Sequence, residues 1–256
     1  SAEVPTTSTP AFLIASTLGV EEVSSCAGRA TVRSYVAEKG YGDALIPCLG
    51  VYDSFQDIPW EEMPPRFVLK CTHASGWNLL VRDKSKVDRK EEEKRFASWL
   101  HRDYGKETME RHYSPIKPQI IAEEWIGDPD HLPVEYKIHV YNGKAKNLYV
   151  VTGRGEDIRY TELTIDWESF DGSQFNGWKK ADVCPEKPKN WEEMVKMAEA
   201  LCAPFPFVRC DLYDVNGKIY FGEMTFTPAK GTLILDDDSC DFRMGEWLDL
   251  SRFLKK

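Results

Sequence analysis

The chain has 256 residues, 42% of them hydrophobic and 12% aromatic, enough apolar mass for one large core or two smaller ones and too much for a disordered chain. A formal net charge of -9 argues against a nucleic-acid partner, because phosphate binding normally leaves a basic face. No run reaches the roughly 18 consecutive apolar residues of a membrane span, and the opening SAEVPTTSTP lacks a charged segment followed by an apolar one, so a cytoplasmic location is expected.

The first predicted elements are a short helix in ATVRSYVAEKG, ended by Gly40, and an extended, proline-interrupted segment in ALIPCLGVYDSF. With the opening residues they form a small leading region, 1–60, and the proline-rich DIPWEEMPP marks the boundary into the main body. Strands follow in RFVLKCTH and NLLVRD, then a charged helix, DRKEEEKRFASWL, whose Asp88 and Glu91 fit a capping box. QIIAEEWI predicts another strand, and VEYKIHVYNGKAKNLYVVTGR a hairpin about Asn142-Gly143. NWEEMVKMAEALC predicts a helix capped by Asn190 and Glu193, with Trp191, Met194, Val195, Ala198 and Leu201 on one stripe. FPFVRCDLYDVNGKIYFGEMTF closes the series with two more strands about a turn. Hairpins mixed with helices, without a βαβ rhythm, indicate an α+β class with antiparallel sheets. Seven cysteines, odd in number and without a CxxC pair, point to reduced thiols rather than to a disulfide framework or a zinc site.

Three segments carry chemistry. In FVLKCTHASG, Lys70 ends a strand just before a small-residue turn. A solvated edge charge is the plain reading; a phosphate cradle is the sharper one, since small residues let backbone N–H groups approach an anion beside the ammonium. In FVRCDLYDVNGKIYFGEMTF, alternation puts Arg209 and Asp211 on one face of a strand and Glu223 and Thr225 on one face of its return. Such charges on apolar strands are costly to bury unless paired or metal-bound, so the alternatives are a structural Arg-carboxylate pair and a magnesium site. A two-residue Asn216-Gly217 loop would set Asp211 opposite Gly222. A three-residue Asn-Gly-Lys loop with a bulge sets Asp211 opposite Glu223 and Arg209 opposite Thr225, and is the register expected here. The third segment, IIAEEWIGD, is either a solvated strand end or a hinge whose backbone contacts an adenine edge.

In their order and spacing these segments, with EYKIHVYNG, KPKNWEEMVKMAEAL and Gly231, resemble the TupA-like ATP-grasp family, linked to bacterial surface polysaccharide and teichuronopeptide synthesis. The resemblance runs from about TVRSYV at residue 31 to GEWLDL near residue 250. It implies an ATP-grasp fold, two α+β subdomains with antiparallel sheets clamping the nucleotide, at 61–126 and 127–256. It also implies ATP and Mg2+ as cofactors. On it, Lys70 contacts the α- and β-phosphates, His73 lies beside the lid, and Ser75 and Gly76 form part of that lid. Glu123, Glu124, Trp125 and Ile126 form the adenine hinge. Asp211 and Glu223 hold magnesium, with Thr225 where the family commonly has an asparagine ligand. Arg209 attends the transferring phosphoryl group, and Lys137 contacts substrate or phosphate. Gly28-Arg29 stands near where the family commonly has Asp-Lys. The implied activity is an ATP-dependent, ADP-forming carboxylate-amine ligase working through an acyl phosphate on a sugar acid or other small-molecule or glycan acceptor. The alternatives are a kinase phosphorylating a hydroxyl, with His73 a candidate base, and a non-catalytic nucleotide-binding module. Arg154, Arg159, Lys230 and the acidic run Asp236 to Asp238 are candidates for the acceptor pocket, and each is equally readable as solvated surface.

Overall fold

This computed structural model describes residues 20–170, 173–174, 177–231, 234–235 and 238–251. The opening SAEVPTTSTP, Asp236, Asp237 and the side chain of Asp238 lie outside the described residues. The chain divides into two units, Val20–His131 and Leu132–Lys256.

The first unit contains α1 (Val20–Ala27), α2 (Val32–Val36), β1 (Cys48–Tyr52), β2 (Phe67–Cys71), β3 (Asn78–Val81), α3 (Arg89–Leu100), α4 (Tyr104–Thr108) and β4 (Ile120–Glu124). Its four strands form an antiparallel sheet in the order β1-β4-β2-β3. Strand alternation decides its faces. Phe67, Leu69 and Cys71 of β2 lie across from Glu124, Ala122 and Ile120 of β4, and all but Glu124 are fully buried. Lys70 and Val68, on the other face, lie across from Ile121 and Glu123. The DIPWEEMPP segment falls inside this unit: Trp60 and Met63 are buried, and the Trp60 ring meets Phe67 edge-on at 5.4 Å. Residues before it supply β1 to the same sheet. Helix α3 starts where Asp88 Oδ1 accepts the backbone N–H groups of Lys90 and Glu91, satisfying two of the donors that a helix start leaves open.

The second unit contains β5 (Glu135–Tyr141), β6 (Lys144–Thr152), β7 (Arg159–Thr164), β8 (Ser173–Gln174), β9 (Lys179–Lys180), α5 (Trp191–Cys202), β10 (Phe207–Val215), β11 (Lys218–Thr225), β12 (Ile234–Leu235) and α6 (Asp238–Glu246). Six strands form one sheet in the order β11-β10-β5-β6-β7-β9, antiparallel except for the β7–β9 pair, while β8 pairs with β12. Asn142 and Gly143 make the expected hairpin turn, with Tyr141 opposite Lys144. Helix α5 buries Trp191, Met194, Ala198 and Leu201 as its period predicts, but Met197 is buried where Val195 is only half-buried. Its Trp191 ring lies 6.3 Å from that of Tyr136, which places α5 over the apolar face of the sheet. Asn190 does not cap this helix; its amide Nδ2 donates instead to Gly217 O at 3.4 Å.

The β10–β11 hairpin reaches the expected pairing by a different route. Val215 pairs with Lys218, so the loop is the two-residue Asn216-Gly217, not a three-residue one. Asn216 and Gly217 have φ of 54° and 80°, as a type I′ turn requires, and this turn follows the right-handed strand twist. Continued without interruption, that register would set Asp211 opposite Gly222. The register shifts between Asp211 and Leu212, leaving Gly222 as an extra residue, and so Asp211 faces Glu223 and Arg209 faces Thr225.

Candidate active site

In the second unit, alternation gives the sheet two unlike faces. One carries Tyr136, Ile138, Val140, Val208, Cys210 and Leu212. The other carries Glu135, Lys137 and His139 of β5 directly across from Tyr213, Asp211 and Arg209 of β10. Burying five of these polar groups side by side, with Tyr213 half-buried beside them, is tolerable only if each finds partners, and they do. Arg209 grips Asp211 with two parallel bonds, Nε to Oδ1 at 2.6 Å and Nη2 to Oδ2 at 2.7 Å. Lys137 Nζ donates to Asp211 Oδ2 at 2.5 Å and lies 3.1 Å from Glu135 Oε2. Glu135 also accepts Arg154 Nη2 at 2.8 Å and Tyr213 OH at 3.4 Å. At the β11 edge, Arg209 Nη2 approaches Glu223 Oε1 at 3.4 Å and Thr225 Oγ1 at 3.0 Å, while the Thr225 hydroxyl donates to Glu223 Oε1 at 3.1 Å. His139 Nδ1 bonds Asn147 Oδ1 at 3.2 Å.

The electrostatics follow from this packing. Burial alone would push the Glu135 carboxyl up, but Lys137 and Arg154 outweigh it and hold it below the usual range. Burial works against the Arg209 charge, yet Asp211 and then Glu223 raise its pKa further. Tyr213 is pushed well up by burial and by the neighbouring carboxylates Glu135, Glu223 and Asp211. His139 is pushed down to about 3 by burial first and the Arg209 charge second, so it is neutral near pH 7.

Asp211 and Glu223 fit magnesium by donor chemistry, being two hard carboxylates set opposite each other on adjacent strands. Among the described residues no cluster of three or more His, Cys, Asp or Glu side chains is arranged to hold a metal. A two-carboxylate site suits an ion that keeps waters and substrate phosphates as its remaining ligands.

In the first unit, Lys70 Nζ donates to Glu123 Oε2 at 2.6 Å. Beyond it, Thr72 and His73 are buried, Ser75 is half-buried and Gly76 is the exposed tip. The next residue, Trp77, anchors this loop: its ring stacks on Trp99 of α3 at 5.9 Å, with Arg102 over its face at 4.7 Å. His73 is taken up in the same packing, edge-on to Trp77 with Nε2 3.3 Å from Trp99 O, and burial lowers its pKa. The Glu124 side chain is exposed, and its backbone N–H donates to Pro47 O at 3.0 Å. Trp125 Nε1 donates to Asp128 O at 3.0 Å, and Arg82 lies 5.4 Å from its ring; Ile126 is half-buried. Of the acceptor-pocket candidates, Arg154 joins the buried layer and Arg159 pairs with Asp157 at 2.7 Å, while Lys230 is exposed.

A model of the TupA-like ATP-grasp family matches residues 16–249. The chain belongs to the TupA-like ATP-grasp family. Its α+β fold, with two antiparallel-built sheets and flanking helices, is that of an ATP-grasp protein. No curated protein matches the chain. Among solved structures, it is similar to D-alanine–D-alanine ligase from Bacillus anthracis complexed with ATP, at 12% identity and a TM-score of 0.44, covering 78% of this chain and 53% of that one. An L-amino acid ligase from Bacillus licheniformis gives 16% identity and a TM-score of 0.47, covering 80% of this chain and 44% of that one. The ATP-grasp ligase PsnB, complexed with a phosphomimetic variant of its minimal precursor, Mg and ADP, gives 10% and 0.45, covering 88% and 60%. The chain thus spans 53%, 44% and 60% of the lengths of these three ligases. No helix among the described residues is long and apolar enough to cross a membrane.

Three participants lie outside the site residues singled out in the sequence. Glu135 and His139 share the strand face of Lys137, and the alternation of VEYKIHVY could have found them. Arg33, which donates to Glu123 from 90 residues away at 3.2 Å, had no local signal.

Proposed function

We propose that this member of the TupA-like ATP-grasp family is an ATP-dependent carboxylate-amine ligase acting through an acyl phosphate, with a sugar acid or other cell-surface precursor as its carboxylate substrate. The observation that carries this reading is the buried Arg209–Asp211 pair with Glu223 across from it on β11, a cation beside two hard carboxylates. In the first step a substrate carboxylate oxygen attacks the γ-phosphorus of ATP; the bond from that phosphorus to the bridging oxygen breaks, and ADP leaves. In the second, an amine attacks the acyl carbon, inorganic phosphate leaves and the amine gives up a proton.

Within the first unit, Lys70 serves the α- and β-phosphates, Ser75 and Gly76 supply backbone N–H groups, and the backbone of Glu123 to Ile126 serves the adenine. Within the second, Arg209 stabilises the charge that develops on the acyl phosphate, and Lys137 contacts phosphate or substrate. Asp211 and Glu223 would hold magnesium, whose chemistry when bound is to neutralise phosphate oxygens.

The test is phosphorus NMR of the protein with Mg-ATP, a pool of amino acids and uronic sugars, and hydroxylamine as a trap for acyl phosphate. Substrate-dependent ADP and free phosphate, together with a hydroxamate by mass spectrometry, are expected. A stable phosphomonoester signal in place of free phosphate would make the protein a kinase, and ATP binding without turnover would make it a nucleotide-binding module.

A further inference from the structure

The Glu123 carboxylate is shared by two cations. Oε2 accepts Lys70 Nζ at 2.6 Å and Oε1 accepts Arg33 Nη1 at 3.2 Å. Arg33 reaches Glu123 from α2, and its Nη2 is fixed by Ile46 O at 2.8 Å. All three side chains are largely withdrawn from water, with exposures of 21% for Arg33, 15% for Lys70 and 10% for Glu123, so their charges are only weakly screened by solvent.

The charge balance gives Arg33 its meaning. A Lys70–Glu123 pair alone is neutral, and an approaching phosphate would feel attraction and repulsion from nearly the same distance. With Arg33 on the second carboxylate oxygen, two positive charges face one negative charge, and the group keeps one net positive charge. Arg29, near the place where the family commonly has a lysine, is engaged elsewhere. Its backbone N–H donates to Thr72 O at 3.2 Å and its Nε to Ala74 O at 3.4 Å, so it braces the loop after β2.

We propose that Arg33 is a positioning residue for phosphate binding: it occupies one oxygen of Glu123 and thereby leaves Lys70 with net positive charge toward the nucleotide. This deepens the role given to Lys70 above and rests on it. The readout is the affinity of the full chain for ATP and for adenosine by titration calorimetry, in wild type, Lys70→Met, Arg33→Met, Arg33→Lys and the Arg33→Met/Glu123→Gln double variant. Arg33→Met is expected to weaken ATP by about tenfold or more while adenosine, which carries no phosphate, binds as to wild type. Arg33→Lys retains most of the ATP affinity. Adding Glu123→Gln to Arg33→Met restores ATP binding, because a neutral amide no longer cancels the Lys70 charge. A residue that merely held the fold together would weaken both ligands and would not be rescued by a second substitution. Unchanged ATP affinity in Arg33→Met, equal losses for ATP and adenosine, or no rescue in the double variant would overturn the role of Arg33 while an effect of Lys70→Met leaves that of Lys70 standing. Wild type that binds no ATP, or Lys70→Met that binds it as tightly as wild type, would overturn the reading of Lys70 and this inference with it.

Discussion

Asp211 and Glu223 share a proposed role, yet their surroundings give them different structural weights. Asp211 is 2% exposed and accepts two bonds from Arg209 and one from Lys137, whereas the Glu223 side chain is 26% exposed at the sheet edge. Removing Asp211 takes the shortest ion pair from two buried cations and leaves Lys137 only Glu135 at 3.1 Å and Arg209 only Glu223 at 3.4 Å, and breaking a buried pair in this way costs about 3–5 kcal/mol. Asp211→Ala is therefore expected to lower the urea unfolding free energy by that amount, whereas Glu223→Gln, which keeps its shape and meets water, is expected to cost under about 1 kcal/mol. Both should lose magnesium-dependent ATP affinity. Glu223→Gln is thus the cleaner probe of the metal role; its retaining wild-type magnesium dependence in a calorimetric titration would remove Glu223 from that role.

At the level of elements, the β10–β11 hairpin brings the carboxylates together through a bulge rather than through its turn. Gly222 is the extra residue, and a Cβ there would meet Asp211 O at 2.9 Å and Tyr213 Cε2 at 3.0 Å. Gly222→Val places a β-branched side chain in that space and favours uninterrupted pairing, which would turn Glu223 to the face of Cys210. A cost of about 1–3 kcal/mol in urea unfolding and loss of magnesium-dependent ATP binding are expected. Deleting Gly222 instead removes the bulge and still sets Glu223 opposite Asp211, so the deletion should bind better than Gly222→Val. The reverse order of affinities would show that facing is not what the bulge supplies. The strand faces here were legible in the sequence, because residues 208–213 and 134–140, Tyr136 aside, alternate between apolar side chains and side chains with a polar group. The means of pairing was not, since Asn-Gly fits both loop lengths and a glycine inside a strand does not announce which partner it skips. The capping role expected of Asn190 failed for a related reason: its side chain is taken by Gly217, a tertiary contact that no local pattern carries. Arg33 was hidden by distance along the chain, and only the folded sheet brings it to Glu123.

For the molecule as a whole, two effects oppose each other as pH falls. The net charge of -9 at pH 7 shrinks toward zero near the pI of about 5.2, which relieves self-repulsion and favours the fold. Against this stand buried histidines in both units: His112 is held down to about 4 and His139 to about 3, each chiefly by burial. An unfolded chain protonates these rings from about pH 6.5 downward while the folded chain does not, so the unfolded state binds more protons and stability is lost with falling pH. Each ring contributes up to about 1.4 kcal/mol per pH unit in that window, which ends near the folded values. Glu135 adds to the loss later: its folded pKa is depressed, so its contribution is present above the ordinary carboxylate range and disappears as pH falls through the folded value. Surface repulsion is screened over about 8 Å at physiological ionic strength, whereas the buried rings are not, so the histidines should win. Urea unfolding in about 0.15 M salt is therefore expected to show stability falling steadily from pH 6.5 to 4, and more shallowly at low salt, where relief of repulsion counts for more. His139→Gln should be less stable at pH 7 but should lose stability less steeply, by about 1.4 kcal/mol per pH unit. A wild-type slope in that variant would mean that His139 takes up its proton in the folded chain, and the neutral ring assigned beside Arg209 and Asn147 would have to be given up.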